Sequence, residues 1–118
     1  MENSTKKAVI YCRVACEIQY SALVQQADRC REYAKAHGYK VTEVLYDNGV
    51  SGLSMERPSL VKLLEMIFAE SGPQALITLS VSQLSRNWRD SAALCRSIEE
   101  RGAKVLFVEH ANPFGESA

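Results

Sequence analysis

Three arginines stand in three separate polar segments of this chain of 118 residues, and their side chains suit the binding of an oxyanion. They are Arg13, Arg57 and Arg86. A guanidinium is always charged, and its planar donors match two oxygens of a phosphate or carboxylate at once. A phosphodiester repels a nucleophile, so displacement at phosphorus in a metal-free site needs several such groups. The arginines therefore predict a phosphate site, the alternative being that each is an ordinary solvated side chain.

No side chain beside these arginines stands out as a nucleophile. Ala15, two residues after Arg13, carries only a methyl group. Cys16 follows it directly, but successive residues leave a strand in different directions, and burial is its expected state. Ser85 has no neighbouring base to activate its hydroxyl. We expect His37 and His110 to be surface residues away from the polar segments. We expect Tyr11 and Trp88 to be packing residues.

The hydrophobic pattern predicts strands and helices in strict alternation. Runs rich in β-branched and aromatic residues predict strands, and apolar residues at helical spacing predict helices. Pro58 begins the second helix, Asn87 caps the third, and Gly38 and Gly102 follow helix ends. The predicted strands are 8–14, 41–46, 75–79 and 104–108, and the first helix is 21–37.

This alternation predicts an α/β fold with a mainly parallel sheet of four or five strands and helices on both faces. The polar segments 13–19, 47–57 and 80–86 each follow a strand, and ligands of such sheets bind at the carboxyl ends of strands. All three segments are predicted to be loops. The length predicts a single domain spanning residues 1–118, with frayed ends at 1–7 and 111–118.

Composition narrows the possible partners. Fourteen basic and fourteen acidic residues cancel, so any contact with DNA must be local rather than the product of a general positive field. The four cysteines form no CxxC pair and no zinc pattern, and no long apolar run predicts a membrane span or a secretory signal. We expect reduced thiols, no membrane partner and a cytoplasmic protein, associated with the nucleoid if it is bacterial.

The order of the motifs resembles the catalytic domain of the serine site-specific recombinases, which include resolvases, invertases and large serine integrases. The resemblance spans Ala8 to about Glu109. The family opens with Tyr-x-Arg-Val-Ser and a later glutamine, and it continues with an Asp, a Ser-Gly and an Arg-Pro. After its third strand it carries Asp-Arg-Leu-Ser-Arg. The matching positions are Tyr11, Arg13, Val14, Ala15 and Gln19, then Asp47, Ser51, Gly52, Arg57 and Pro58, then Ser82, Gln83, Leu84, Ser85 and Arg86.

The resemblance implies a reaction and a set of site residues. In the family, a serine hydroxyl attacks a DNA phosphodiester to give a covalent 5′-phosphoserine without a metal or other cofactor. Arginines bind the reacting phosphate. Carried over, this implies catalytic positions at Ala15, Arg13, Arg86 and Gln19, and phosphate or DNA contacts from Arg13, Arg57, Arg86, Asp47 and Ser51. The implied partners are DNA, weakly bound by this domain alone, and further copies of the chain or related recombinase subunits.

Three family positions are substituted. Ala15 replaces the nucleophilic serine, and Ser82 and Gln83 replace the Asp-Arg pair, which removes a carboxylate and a positive charge. These changes predict a domain deficient in strand exchange that acts by phosphate contact or by assembly. One alternative is an active recombinase domain in which Ala15 is engineered or an active partner subunit supplies the serine. Another is a small-molecule-binding α/β domain, although the sequence contains no GxGxxG motif or P-loop.

Overall fold

The computed structural model describes residues 6–14, 20–49, 57–69 and 71–114. Strands and helices alternate there as the sequence predicts, with one additional short helix. The elements are β1 (Lys6–Val14), α1 (Tyr20–Ala36), β2 (Tyr39–Asn48), α2 (Pro58–Phe68), β3 (Ala75–Thr78), α3 (Val81–Leu84), α4 (Trp88–Glu100) and β4 (Lys104–Phe107).

The described strands form one parallel sheet of four strands in the order β2-β1-β3-β4. Residues Ala8 to Cys12 of β1 are buried on both faces of the sheet, which is why this strand reads as a continuous apolar run. One face packs against α1 through Leu23, Ala27 and Cys30. The opposite face packs against α2, α3 and α4. The predicted parallel sheet with helices on both faces is therefore confirmed.

Local signals placed the ends of several elements correctly. The side chain of Asn87 accepts hydrogen bonds from the backbone N–H groups of Arg89 and Asp90 and so caps α4. Gly102 follows α4 with a φ of +93°, a conformation that favours glycine. Pro58 occupies the first turn of α2.

Most boundaries shift by one or two residues from the sequence prediction, and three differences bear on the sheet and its carboxyl edge. Segment 80–86 is not only a loop, because it contains α3, whose Leu84 is fully buried and anchors it in the core. β2 continues to Asn48, so Asp47 lies within the strand and pairs with Arg13 of β1. β1 begins at Lys6, where pairing with Tyr39 of β2 orders it.

The chain beyond β4 folds back along this edge strand. The side-chain amide of Asn112 donates a hydrogen bond of 3.2 Å to the carbonyl of Val105, and the Asn112 side-chain oxygen accepts from the N–H of Phe114. Asn112, within the segment predicted to fray, thus contacts β4. No helix in the described part of the chain is long and apolar enough to cross a membrane.

Candidate functional site

The carboxyl edge of the sheet holds three buried charged residues. Arg13 near the end of β1, Asp47 near the end of β2 and Arg57 just before α2 are only 4%, 3% and 5% exposed. Parallel strands end at the same edge, and the register places Arg13 directly beside Asp47. Buried charges require partners, so their hydrogen bonds define what this site can do.

The phenol of Tyr11 connects the carboxylate to a guanidinium. Its hydroxyl donates to Asp47 Oδ2 at 2.7 Å and accepts from Arg57 Nη2 at 3.0 Å and Nε at 3.3 Å. Burial, with a further contribution from the carboxylate of Asp47, raises the pKa of Tyr11 well above its usual range, although Arg57 opposes the shift. Tyr11 therefore remains a neutral donor at physiological pH.

Asp47 also caps α2 from the neighbouring strand. Its two carboxylate oxygens accept hydrogen bonds from the backbone N–H groups of Ser59 at 3.0 Å and Leu60 at 3.1 Å. The N-cap residue itself, Arg57, makes no side-chain capping bond. A carboxylate suits this position because free N–H groups and the helix dipole make a helix N-terminus positive. Asp47 thus fixes the start of α2 and, with it, the backbone position of Arg57.

The last carbonyls of α3 hold both buried arginines. Arg57 donates to the carbonyl of Gln83 at 2.8 Å and to that of Leu84, while Arg13 donates to Gln83 at 3.1 Å and to the carbonyl of Ser82. Carbonyls at a helix C-terminus lack partners within the helix and attract cations. The two guanidiniums therefore meet at one oxygen, the carbonyl of Gln83.

The side chain of Gln83 completes this arrangement. Its Oε1 accepts a hydrogen bond of 2.6 Å from the backbone N–H of Arg13, at the end of β1. Gln83 thus contacts Arg13 through both its side chain and its carbonyl, which joins α3 to the central strand.

Arg86 stands apart from this buried pair. Its side chain is exposed two residues after α3, but its charge still acts on Arg13. Burial first, and then the charges of Arg57 and Arg86, lower the pKa of Arg13, while Tyr11 and Asp47 oppose that shift. The structure thus brings Arg13 and Arg57 into contact with the same carbonyl and places Arg86 within electrostatic range. A single anion shared by all three remains a prediction.

Comparison with known proteins assigns the chain to a family. The family model for the resolvase N-terminal domain matches residues 8–117. This chain belongs to the resolvase family of serine recombinases. Comparison with curated protein sequences gives no match.

Solved structures support the assignment of this resolvase-family chain. It is 32% identical, with a TM-score of 0.78, to the C-terminal catalytic domain of ISC1926 TnpA, an IS607-like serine recombinase, over 86% of this chain and 70% of that one. It is 27% identical, with a TM-score of 0.81, to the N-terminal catalytic domain of TP901-1 integrase, over 90% of this chain and 80% of that one. A resolvase family site-specific recombinase from Streptococcus pneumoniae shares the fold at 23% identity and a TM-score of 0.78, over 95% and 78% of the two chains.

Several predicted site residues of this resolvase-family chain have no structural description. Ala15, Gln19 and Ser51 lie outside the described residues, as does Cys16. Ser82 is exposed, and its hydroxyl lies 2.9 Å from that of Ser80. Among the described residues, no group of three or more His, Cys, Asp or Glu side chains is placed to hold a metal ion.

Three residues have roles that the sequence analysis missed. Tyr11 is buried as predicted, but its hydroxyl belongs to the site. The sequence held a signal for this, because alternation along a strand places Tyr11 on the same face as Arg13. His110 is exposed but not remote from the third polar segment, because its Nε2 accepts from the N–H of Val81 at 3.2 Å. Trp88 is not a buried packing residue, since 58% of it is exposed.

Proposed function

We propose that this resolvase-family domain serves site-specific DNA recombination without performing strand exchange itself. It acts by contacting DNA phosphates or by assembling with related recombinase subunits. The observation that carries this proposal is the role of Gln83. At a position where the family resemblance implies a phosphate-binding arginine, a neutral side chain accepts from the backbone of Arg13.

The hydrogen bonds of the two buried arginines support the same conclusion. Arg13 and Arg57 each donate to two carbonyls at the end of α3. A phosphodiester that approached these guanidiniums would compete with carbonyls already in place. Loss of one preorganised donor in such a site costs about 10² to 10³ in rate.

The nucleophile position gives an independent argument. Covalent attack on phosphorus requires an oxygen or sulfur on the attacking side chain, and Ala15 has neither. If alanine for serine were the one replacement, an engineered substitution that removes the nucleophile and blocks cleavage would explain it. The additional replacements at Ser82 and Gln83 favour natural loss of the site.

The test is the formation of a covalent adduct on suicide DNA. The chain is fused to the DNA-binding module of an active serine recombinase and incubated with that enzyme's nicked substrate, the active enzyme serving as positive control. We expect the fusion to bind the substrate but to form no adduct on a denaturing gel. An adduct would overturn the proposal, and its loss in Cys16→Ala would identify the attacking thiol.

The assembly role is tested in a mixture. The fusion is added to the active recombinase on a substrate with sites for both, and strand-specific labels report which site is cleaved. Cleavage confined to the strands held by the active subunit, together with co-assembly on a native gel, is the expected result. Failure of the two proteins to assemble would leave phosphate contact as the only proposed role.

A further inference from the structure

The first turn of α4 displays a large aromatic side chain. Trp88 is the only tryptophan of the chain, and 58% of it is exposed. Tryptophan is highly buried on average in folded proteins, because its ring carries more apolar surface than most side chains. Because tryptophan is enriched at interfaces, an exposed indole in an ordered helix is a candidate contact for a partner.

Neighbouring groups hold this indole in place. Its ring lies edge to face with that of Phe114, with 4.9 Å between the centroids and 60° between the planes. Phe114 packs on the core, and its N–H donates to Asn112, which is itself bonded to β4. The Asn87 cap fixes the backbone at the start of α4. Trp88 is thus a supported platform rather than a freely rotating side chain.

Two arginines lie close to Trp88 in the sequence. Arg86 and Arg89 are both exposed, and among the described residues neither has a carboxylate within ion-pair distance. Asp90 is the one acidic residue of this turn, so the segment from Arg86 to Asp90 keeps a net positive charge in a chain whose total charge is zero. The positive end of the α4 dipole adds to this local field.

We propose that Trp88, with Arg86 and Arg89, forms a contact site for single-stranded or locally unstacked DNA. The indole stacks on an exposed base, and the two guanidiniums bind the adjoining phosphates. This inference rests on the proposed role in DNA contact and adds the form of DNA that is recognised. A platform of this kind selects unpaired strands because the faces of bases in a duplex are already stacked on their neighbours.

The position of this site relative to the buried arginines strengthens the inference. Arg86 lies at the carboxyl edge of the sheet, close enough for its charge to lower the pKa of Arg13. A strand held by Trp88 and Arg89 would therefore pass the edge where the phosphate site is proposed.

The single tryptophan supplies a specific probe. The chain of 118 residues is titrated at about 50 mM salt with oligothymidylate of roughly 12 nucleotides, within the usual footprint of such sites, and with a duplex of the same length. Oligothymidylate is expected to quench the emission of Trp88 saturably, and the duplex to quench it less. Base stacking on aromatic side chains is worth about 1–3 kcal/mol, so Trp88→Ala should weaken binding of a labelled oligonucleotide roughly 5- to 150-fold.

Matched variants separate stacking from charge and folding. Trp88→Phe keeps an aromatic face and should restore part of the affinity. Arg89→Gln should weaken binding and flatten its salt dependence, because one phosphate contact is lost. Lys104→Gln removes one exposed charge at the opposite, amino edge of the sheet and should change little. Urea midpoints of all variants report whether each chain is folded.

Each outcome decides between the two proposals. If the wild-type chain binds DNA but Trp88→Ala and Arg89→Gln bind equally well, this inference fails and the proposed DNA contact stands. If the wild-type chain binds no DNA at low salt, this inference and the proposed DNA contact both fail. Assembly with related recombinase subunits is then the remaining proposed role. A blue shift of Trp88 emission with rising protein concentration, in the absence of DNA, would overturn the inference by identifying the surface as an interface between copies.

Discussion

At the scale of single residues, one phenol links the opposite charges of the site. The Tyr11 hydroxyl donates to Asp47 and accepts from Arg57, and all three side chains are buried. Removal of such a bridge leaves both charged groups short of a partner. Tyr11 is therefore a structural member of the site, and its energetic role can be measured separately from any DNA chemistry.

We expect Tyr11→Phe to lower the free energy of unfolding by about 1–3 kcal/mol, the usual cost of leaving a buried polar partner unsatisfied. The measurement is urea unfolding at neutral pH. Tyr33→Phe is the control, because no hydrogen bond of the Tyr33 hydroxyl is among the described contacts and the residue is only partly buried. Equal effects of the two substitutions would contradict a bridging role for Tyr11.

The raised pKa of Tyr11 also predicts how the stability of the fold depends on pH. The pKa of Tyr11 is raised in the folded protein, so the unfolded chain loses this proton first as the solution becomes alkaline. Its contribution to stability is complete below about pH 10, the ordinary tyrosine value, and is lost as the pH rises further. The wild-type chain should therefore lose stability more steeply than Tyr11→Phe as the pH rises above about pH 10. The same pH dependence of the free energy of unfolding in the wild-type chain and in Tyr11→Phe would contradict this expectation.

The substituted catalytic positions yield a second prediction at the residue scale. In the fusion with a DNA-binding module, Ala15→Ser alone should form little phosphoserine adduct, because Gln83 and Ser82 still leave the phosphate poorly neutralised. The triple variant Ala15→Ser, Ser82→Asp, Gln83→Arg should form far more, since effects within one catalytic unit are strongly non-additive.

The assay compares single, double and triple variants on suicide DNA at equal protein concentration. Ala15→Ser matching the triple variant would mean that the site is intact apart from its serine. An engineered trap would then explain Ala15 better than natural loss.

At the scale of elements, α3 depends on its neighbours. A four-residue helix cannot sustain itself, and Ser80 makes no side-chain cap for it. The N–H of Val81 donates to His110 Nε2. At the C-terminus of α3, Arg13 and Arg57 donate hydrogen bonds to its last backbone carbonyls. The helix is therefore held from both ends, and its C-terminal carbonyls determine where the arginines rest.

His110→Ala should loosen α3 from its N-terminal end. The amide of Val81 would lose its acceptor, and its hydrogen exchange should accelerate about 2- to 10-fold, as expected for one hydrogen bond worth 0.5–1.5 kcal/mol. His37→Ala is a matched control, because His37 follows α1, and its ring bonds to the carbonyl of Tyr33 and stacks on the ring of Tyr33, away from α3. Unchanged exchange at Val81 in His110→Ala would show that the contact does not hold the helix.

At the scale of the whole molecule, balanced charge limits affinity for DNA. Fourteen basic residues are offset by fourteen acidic ones, and two of the site's arginines are buried. Proteins gain non-specific affinity by neutralising several phosphates at once. Any such gain must be local in a chain of zero net charge, and we have proposed Arg86 and Arg89 as one place for it.

The isolated chain should therefore bind duplex DNA at physiological salt with a dissociation constant weaker than about 10⁻⁶ M. Fluorescence anisotropy over a series of salt concentrations measures both the affinity and its salt slope. Tighter, strongly salt-dependent binding would show that the charges are more segregated than their balance suggests.

The features that could be predicted from the sequence are those set by residues close together along the chain. The central strand was predictable because a run buried on both faces must be continuously apolar, and the Asn87 cap because it acts within one helical turn. Helix α3 was missed because its polar residues resemble a loop and its support comes from distant partners. The exposure of Trp88 was missed because composition does not reveal which side of a helix start lacks a covering element.

The sequence by itself determined the alternation of strands and helices, the family, and the chemistry that Ala15 lacks. These properties follow from residue types and from spacing along the chain. Only the tertiary structure decided that Asp47 caps α2 from another strand, that Tyr11 bridges Asp47 and Arg57, and that Gln83 takes both buried arginines on its carbonyl. These contacts join residues 12 to 70 positions apart. Such pairings depend on strand order and on side-chain direction, which are fixed only when the sheet is assembled.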